Sequence, residues 1–172
     1  MKRKGRIILK ILKYIGLTLI ALLIIFFAVR AVGVTINRKT PVGGINESMY
    51  VDINGTKQWI NIYGENINNP VLMYLHGGPG SSTSDIDYVI TRKWADVYTV
   101  VTWDQRNCGK SYDEEQNDIE LTRDIFMEDG KGMTEFIRDY LSVDKITILG
   151  HSWGSIYGAN LVLEYPEYYE CF

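Results

Sequence analysis

A chain of 172 residues with 18 Lys/Arg, 21 Asp/Glu and two His has a formal net charge of −3, but its charges are segregated. Residues 1–39 carry nine basic and no acidic side chains, so residues 40–172 hold the other nine basic and all 21 acidic ones, a net of −12. That balance excludes nucleic acid as a partner of the globular part; two cysteines are too few for a disulfide framework, and two unclustered histidines make no metal site. In chain order, Lys2, Arg3, Lys4, Arg6, Lys10 and Lys13 come first, followed by an uncharged run over 14–29 that ends at Arg30. As a helix this run rises about 24 Å, short of a hydrocarbon core of about 30 Å. Lys13 and Arg30 can extend their charges outward, and 31–36 continues the apolar pattern. The reading is a basic N-terminus over 1–13, a membrane-spanning helix over 14–36 and a linker over 37–46 that contains Pro41, Gly43 and Gly44. Six basic residues before the uncharged run and three after it (Arg30, Arg38 and Lys39) predict a single-pass cell-membrane protein, with its N-terminus in the cytoplasm and residues 47–172 outside. A cleaved signal peptide competes with this reading, its best small-residue site being Ala31 with Gly33.

Beyond the linker, 48–53 and 57–63 alternate apolar and polar residues around Asn54-Gly55, which predicts a β-hairpin. An apolar strand over 70–75 leads into His76-Gly77-Gly78-Pro79-Gly80, then a helix over 85–94 and a strand over 98–103. Residues 113–120 form an acidic loop, read as solvated surface. Phe126, Met133, Phe136, Ile137, Tyr140 and Leu141 recur at helical spacing and predict a helix over 122–141, which Gly130 and Gly132 weaken by about 1 kcal/mol each. A strand over 145–149 and a helix over 153–165, stopped by Pro166, complete the pattern. A hairpin followed by alternating strand and helix gives an α/β fold, a mostly parallel sheet with helices on both faces.

Chemistry concentrates where strand 145–149 meets the following helix, at Gly150-His151-Ser152-Trp153-Gly154. Glycines flanking a serine in a strand–turn–helix allow a sharp turn that raises the serine hydroxyl above the sheet, beside the N–H groups of a helix start. Ser152 is therefore the candidate nucleophile. The glycine-rich loop at 76–80 can bring backbone N–H groups to a reacting carbonyl oxygen, and the N–H of Trp153 is the second candidate donor. A serine also needs a histidine base oriented by a carboxylate. His76 belongs to the glycine loop and His151 to the elbow itself, and no histidine follows Ser152.

With the turn Trp103-Asp104-Gln105-Arg106-Asn107-Cys108-Gly109-Lys110-Ser111, these two blocks resemble the proline iminopeptidase-like branch of the α/β-hydrolase superfamily, over about residues 46–172. The resemblance implies the N-terminal half of that fold, with Ser152 as nucleophile and Gly77 or Gly78 with Trp153 as the oxyanion hole. It implies no cofactor and no metal. The substrate would be a small peptide or ester cleaved through an acyl-enzyme, with an esterase or lipase-type hydrolase as the alternative to a peptidase. Asn107 stands where the family usually has glycine; asparagine tolerates left-handed backbone angles, so the turn is expected to persist. The family's aspartate and histidine loops and its lid have no counterpart in these 172 residues. The chain as given is therefore expected to be a truncated, catalytically inactive fragment, with the outer edge of strand 145–149 unpaired and prone to aggregation.

Overall fold

In the computed structural model residues 2–172 are described, the side chains of 2–4 and 87 excepted; the first residue of the predicted basic segment lies outside this range. The chain divides into two compact units, Met1–Lys39 and Thr40–Phe172.

The first unit is a single helix, α1, over Lys2–Asn37. Lysine and arginine are good helix formers, so the helix does not begin with the uncharged run but takes in the basic residues before it. Over Gly5–Asn37 it is long and apolar enough to cross a membrane, with a mean hydropathy of 2.6. Its large side chains, Leu23, Ile24, Phe26 and Phe27 among them, are exposed. Thr18 and Thr35 donate their hydroxyls to the carbonyls of Tyr14 and Ala31, at 2.9 and 2.8 Å. These bonds satisfy both hydroxyls within the helix itself.

The second unit is built on one six-stranded sheet. Its strands are β1 (Ile45–Ile53), β2 (Thr56–Gly64), β3 (Val71–Leu75), β4 (Thr99–Asp104), β5 (Ile146–Gly150) and β6 (Tyr169–Cys171), in the spatial order β1-β2-β4-β3-β5-β6. β1 and β2 form an antiparallel hairpin turned at Asn54 and Gly55, with φ of 46° and 75°. Two successive positive φ angles are what a tight two-residue hairpin needs, and Asn-Gly supplies them at little cost. β2 runs antiparallel to β4, and β4, β3, β5 and β6 are mutually parallel. Every residue of β3 and β4 is buried, which accounts for their continuous apolar runs in place of alternation.

Three helices accompany the sheet: α2 (Asp87–Thr91), α3 (Arg123–Leu141) and α4 (Trp153–Glu164). α2 is shorter than the 85–94 expected, because no side chain caps its start and a run of turns follows it. α3 is capped by Thr122, whose hydroxyl accepts the Ile125 N–H, and closes on Ser142 in the left-handed region at φ 54°. Gly130, read from sequence as a weakness, has a packing role. A methyl group there would come within 2.6 Å of Leu161 and of the Tyr157 hydroxyl, so the glycine permits α3 to approach α4 closely. The core joins Ile60, Ile62, Met73, Leu75, Val101 and Trp103 of the sheet to Met133, Ile137 and Leu161 of the two helices.

The outer edge of β5 is not left wholly unpaired, contrary to expectation. Ile146 pairs with Tyr169 and Thr147 with Cys171. A 3-10 turn over Pro166–Tyr168 reverses the chain after α4 and returns it parallel to β5. Tyr169 is buried there, its hydroxyl 2.9 Å from the Thr134 hydroxyl of α3.

A buried polar cluster joins the hairpin, the turn after β4 and α3. Arg106 grips Asp129 with two bonds, Nε to Oδ2 at 2.6 Å and Nη2 to Oδ1 at 2.7 Å. Gln58 donates through Nε2 to Asp129 Oδ2 at 3.0 Å and accepts the Trp103 indole N–H on Oε1 at 2.8 Å, while Arg106 Nη2 also reaches the Asn54 carbonyl at 3.0 Å. Buried charge is tolerated only when paired and fully hydrogen-bonded in this way.

Candidate active site

Two loops leave neighbouring parallel strands at the same level. Leu75, the last residue of β3, pairs with Gly150, the last of β5, and the His151 N–H donates to the Leu75 carbonyl at 3.0 Å. The glycine loop and the serine turn therefore rise side by side at the carboxyl ends of their strands, where open α/β sheets form binding crevices.

Ser152 sits at the apex of its turn with φ 55° and ψ −119°, a conformation an L-residue rarely adopts. The flanking glycines make this turn feasible. A methyl on Gly150 would collide with the Gly154 carbonyl oxygen and lie 2.6 Å from Ser155 Cα. One on Gly154 would collide with the Leu75 carbonyl oxygen and lie 2.8 Å from that of His76. Helix α4 starts immediately after the serine, so the Trp153 N–H belongs to the first turn, whose donors lack intrahelical acceptors.

Ser152 is exposed and lines an open cleft of about 420 Å³ together with Gly77, Gly78 and His151. Gly77 lies directly against the serine: a methyl there would be 3.2 Å from both Ser152 Cβ and His151 Nδ1. Of the sequence-derived candidates, Ser152, Gly77 and Gly78 thus line one cleft. Trp153 differs, since its side chain turns away to pack on Phe126 and Tyr157, with ring centroids 5.5 and 6.2 Å apart. It lines a separate cavity of about 260 Å³ with residues of α3, leaving only its backbone at the serine.

Among the described residues neither histidine is hydrogen-bonded to the serine. His76 is fully buried, with Nδ1 2.8 Å from the Gly77 carbonyl and Nε2 accepting the Gln105 N–H at 3.2 Å. Burial lowers its pKa below the ordinary histidine value, opposed by the Gly77 bond and by the charge of Asp104. His151 is exposed in the cleft, and among the described residues no hydrogen bond joins its ring to the Ser152 hydroxyl. Cys108 lies 3.4 Å from His76 Nε2; burial pushes its thiol up to about 12, so it is no nucleophile.

The turn after β4 keeps its form despite Asn107, which adopts φ 55°. Its side chain adds two ties that glycine lacks, donating to Asn117 Oδ1 at 3.0 Å and accepting the Asp113 N–H at 3.1 Å. Gly109 of the same turn leaves no room for a methyl group beside Ser82 and Asp104.

The cleft also holds residues that sequence reasoning passed over: Tyr74, Ser81, Ser82, Thr83, Ile86 and Ile90. The four-residue spacing of Ile86 and Ile90 after the glycine loop was the available signal. Among the described residues no group of His, Cys, Asp or Glu is arranged to hold a metal ion.

A family model for the alpha/beta hydrolase fold matches residues 70–169. The chain belongs to the α/β-hydrolase family. Within it, the similarity runs to the proline iminopeptidase-like branch. A probable aminopeptidase, YbaC of Bacillus subtilis, is 36% identical over 119 residues, covering 68% of this chain and 37% of its own. Among solved structures, a proline iminopeptidase-related protein from Thermus thermophilus superposes with a TM-score of 0.60 at 25% identity, over 72% of this chain and 42% of its own. Carboxylesterase CesB from Bacillus subtilis does so at 0.56 and 26%, over 73% and 41%. The chain thus spans less than half the length of each of these hydrolases.

Proposed function

We propose that this hydrolase chain carries the nucleophile and oxyanion half of a serine hydrolase held at a membrane by α1. Ser152 attacks an amide or ester carbonyl and becomes acylated, while the N–H groups of Trp153 and of Gly77 or Gly78 receive the developing oxyanion. The observation that carries this reading is the backbone of Ser152, strained at φ 55° between two irreplaceable glycines and set against Gly77 in an open cleft. Similarity to an aminopeptidase and to a proline iminopeptidase-related protein favours a small peptide or amino-acyl amide as substrate. The likeness to a carboxylesterase supports a second reading, a small ester.

No base for Ser152 is in place among the described residues, so these 172 residues alone would give little turnover. Imidazole added to the chain supplies the missing base and tests the nucleophile directly. With p-nitrophenyl acetate and imidazole, the peptide carrying Ser152 should gain an acetyl group, and the Ser152→Ala chain should not. Acetyl groups spread over surface lysines and hydroxyls with none on Ser152 would contradict the reading.

The six basic residues before the apolar run and three after it support an N-terminus in the cytoplasm and a hydrolase unit outside.

A further inference from the structure

The Gly77–Gly78 peptide is held by its carbonyl. Gly77 O accepts from His76 Nδ1 at 2.8 Å and from the Ser81 N–H at 3.2 Å. This peptide bond is trans, so its C=O and N–H point in opposite directions from one rigid plane. Fixing the Gly77 carbonyl therefore fixes the direction of the Gly78 N–H.

The far side of the imidazole is held as well. Gln105 donates its backbone N–H to Nε2 at 3.2 Å, and its side-chain amide reaches the His76 carbonyl at 3.5 Å. A carbonyl only accepts and a peptide N–H only donates, so these two partners admit one protonation state: a proton on Nδ1 and none on Nε2. The Cys108 thiol beside Nε2 does not disturb this assignment, since it has the Gln105 carbonyl as an acceptor at 3.0 Å. Gln105 is anchored in turn by its neighbour Arg106, locked to Asp129 of α3.

We infer that His76 is a positioning residue of the oxyanion hole: its ring, wedged between the Gln105 N–H and the Gly77 carbonyl, aims the Gly78 N–H at the reacting oxygen. It touches no reacting atom itself. A histidine suits the place because a neutral imidazole presents one donor and one acceptor on opposite edges of a rigid ring. This inference rests on Ser152 being the nucleophile, and it makes Gly78 the donor from the glycine loop.

Phenylboronic acid tests both layers without needing a base. The serine oxygen forms a B–O bond, the hydroxyl proton passes to solvent, and a tetrahedral anion is left whose oxygen needs the same donors. The full chain in detergent micelles should bind it, and Ser152→Ala should abolish binding. His76→Leu should weaken binding about tenfold or more. His76→Asn, whose side-chain amide can donate from the position of Nδ1, should recover to within about threefold of the original chain. In the unsubstituted chain at neutral pH, ring ¹⁵N shifts should place the His76 proton on Nδ1. A folded His76→Leu chain binding as tightly as the original, a folded His76→Asn chain without recovery, or a proton on Nε2 would each overturn the inference. If His76→Leu does not fold, the asparagine variant and the ring shifts decide. Absence of any adduct on the unsubstituted chain would instead overturn the nucleophile reading, and this inference with it.

Discussion

Gly77 and Ser152 approach so closely that a methyl group on the glycine would stand 3.2 Å from the serine Cβ. Two loops from adjacent parallel strands meet at this contact, and it sets the distance between nucleophile and glycine loop. At this spacing the neighbour must yield by only a few tenths of an ångström. Gly77→Ala is expected to leave the fold intact, with a loss within about 1 kcal/mol. It should still impair acylation of Ser152, because the displaced atom is the one that bears the reacting group. Urea unfolding alongside imidazole-assisted acetylation checks both halves. Unchanged acetylation would mean the contact does not set the geometry.

Gly154→Ala offers the contrast. Its added methyl would collide with backbone, the Leu75 carbonyl, which has no rotamer by which to escape. The expected loss exceeds about 3 kcal/mol, with the elbow displaced or the domain unfolded. A thermal midpoint close to that of the unsubstituted chain would contradict the packing account.

The Arg106–Asp129 pair is exposed by only 6% and 1% at its two side chains. Asp129→Asn keeps the shape but leaves the guanidinium without a counter-charge, so a destabilisation of about 3–5 kcal/mol is expected. Changing both, as Arg106→Met with Asp129→Leu, should cost less than either single change, because no charge is then stranded. A double-mutant cycle from urea midpoints provides the measurement, and simple additivity would show that the two groups act independently.

His76 makes folding sensitive to acid. Its folded pKa lies below the ordinary value of 6.5, lowered chiefly by burial. The unfolded chain therefore takes up a proton on this ring first as the pH falls. Its contribution to stability is complete above pH 6.5 and is lost progressively between 6.5 and the lower folded value. The chain has two histidines, so a ring titration separates them readily. His76 should be less than half protonated at pH 6.5, and half-protonation or more there would contradict the lowering by burial.

For the membrane assignment, the chain should resist extraction by alkaline carbonate, and protease added to spheroplasts should remove residues 40–172. Release by carbonate would refute the anchor, and protection of an epitope at Phe172 would refute the orientation.

Much of this architecture was legible because it rests on local chemistry. Asn54-Gly55 announces the hairpin through the backbone angles only such a pair adopts readily, and Thr122 with the spacing of Phe126, Met133 and Ile137 marks α3. The elbow and the glycine loop were visible because each needs glycine at fixed places. What escaped depends on residues far apart in sequence. Nothing local tells that Arg106 meets Asp129, that Gly130 exists for Tyr157 and Leu161, or that Tyr169 returns to pair with Ile146. The sequence places His76 in the glycine loop and assigns it no task there. Its two backbone partners, one of them 29 residues away, are what reveal its role.

The most direct test of the account is the structure of the phenylboronate adduct. Boron should be bonded to Ser152 Oγ, with one boronate oxygen about 2.7–3.1 Å from the Trp153 N–H and from an N–H of the glycine loop. Boron bound elsewhere, or an adduct on Ser152 whose oxygens all face solvent, would contradict the claim that these two loops form a nucleophile and its oxyanion hole.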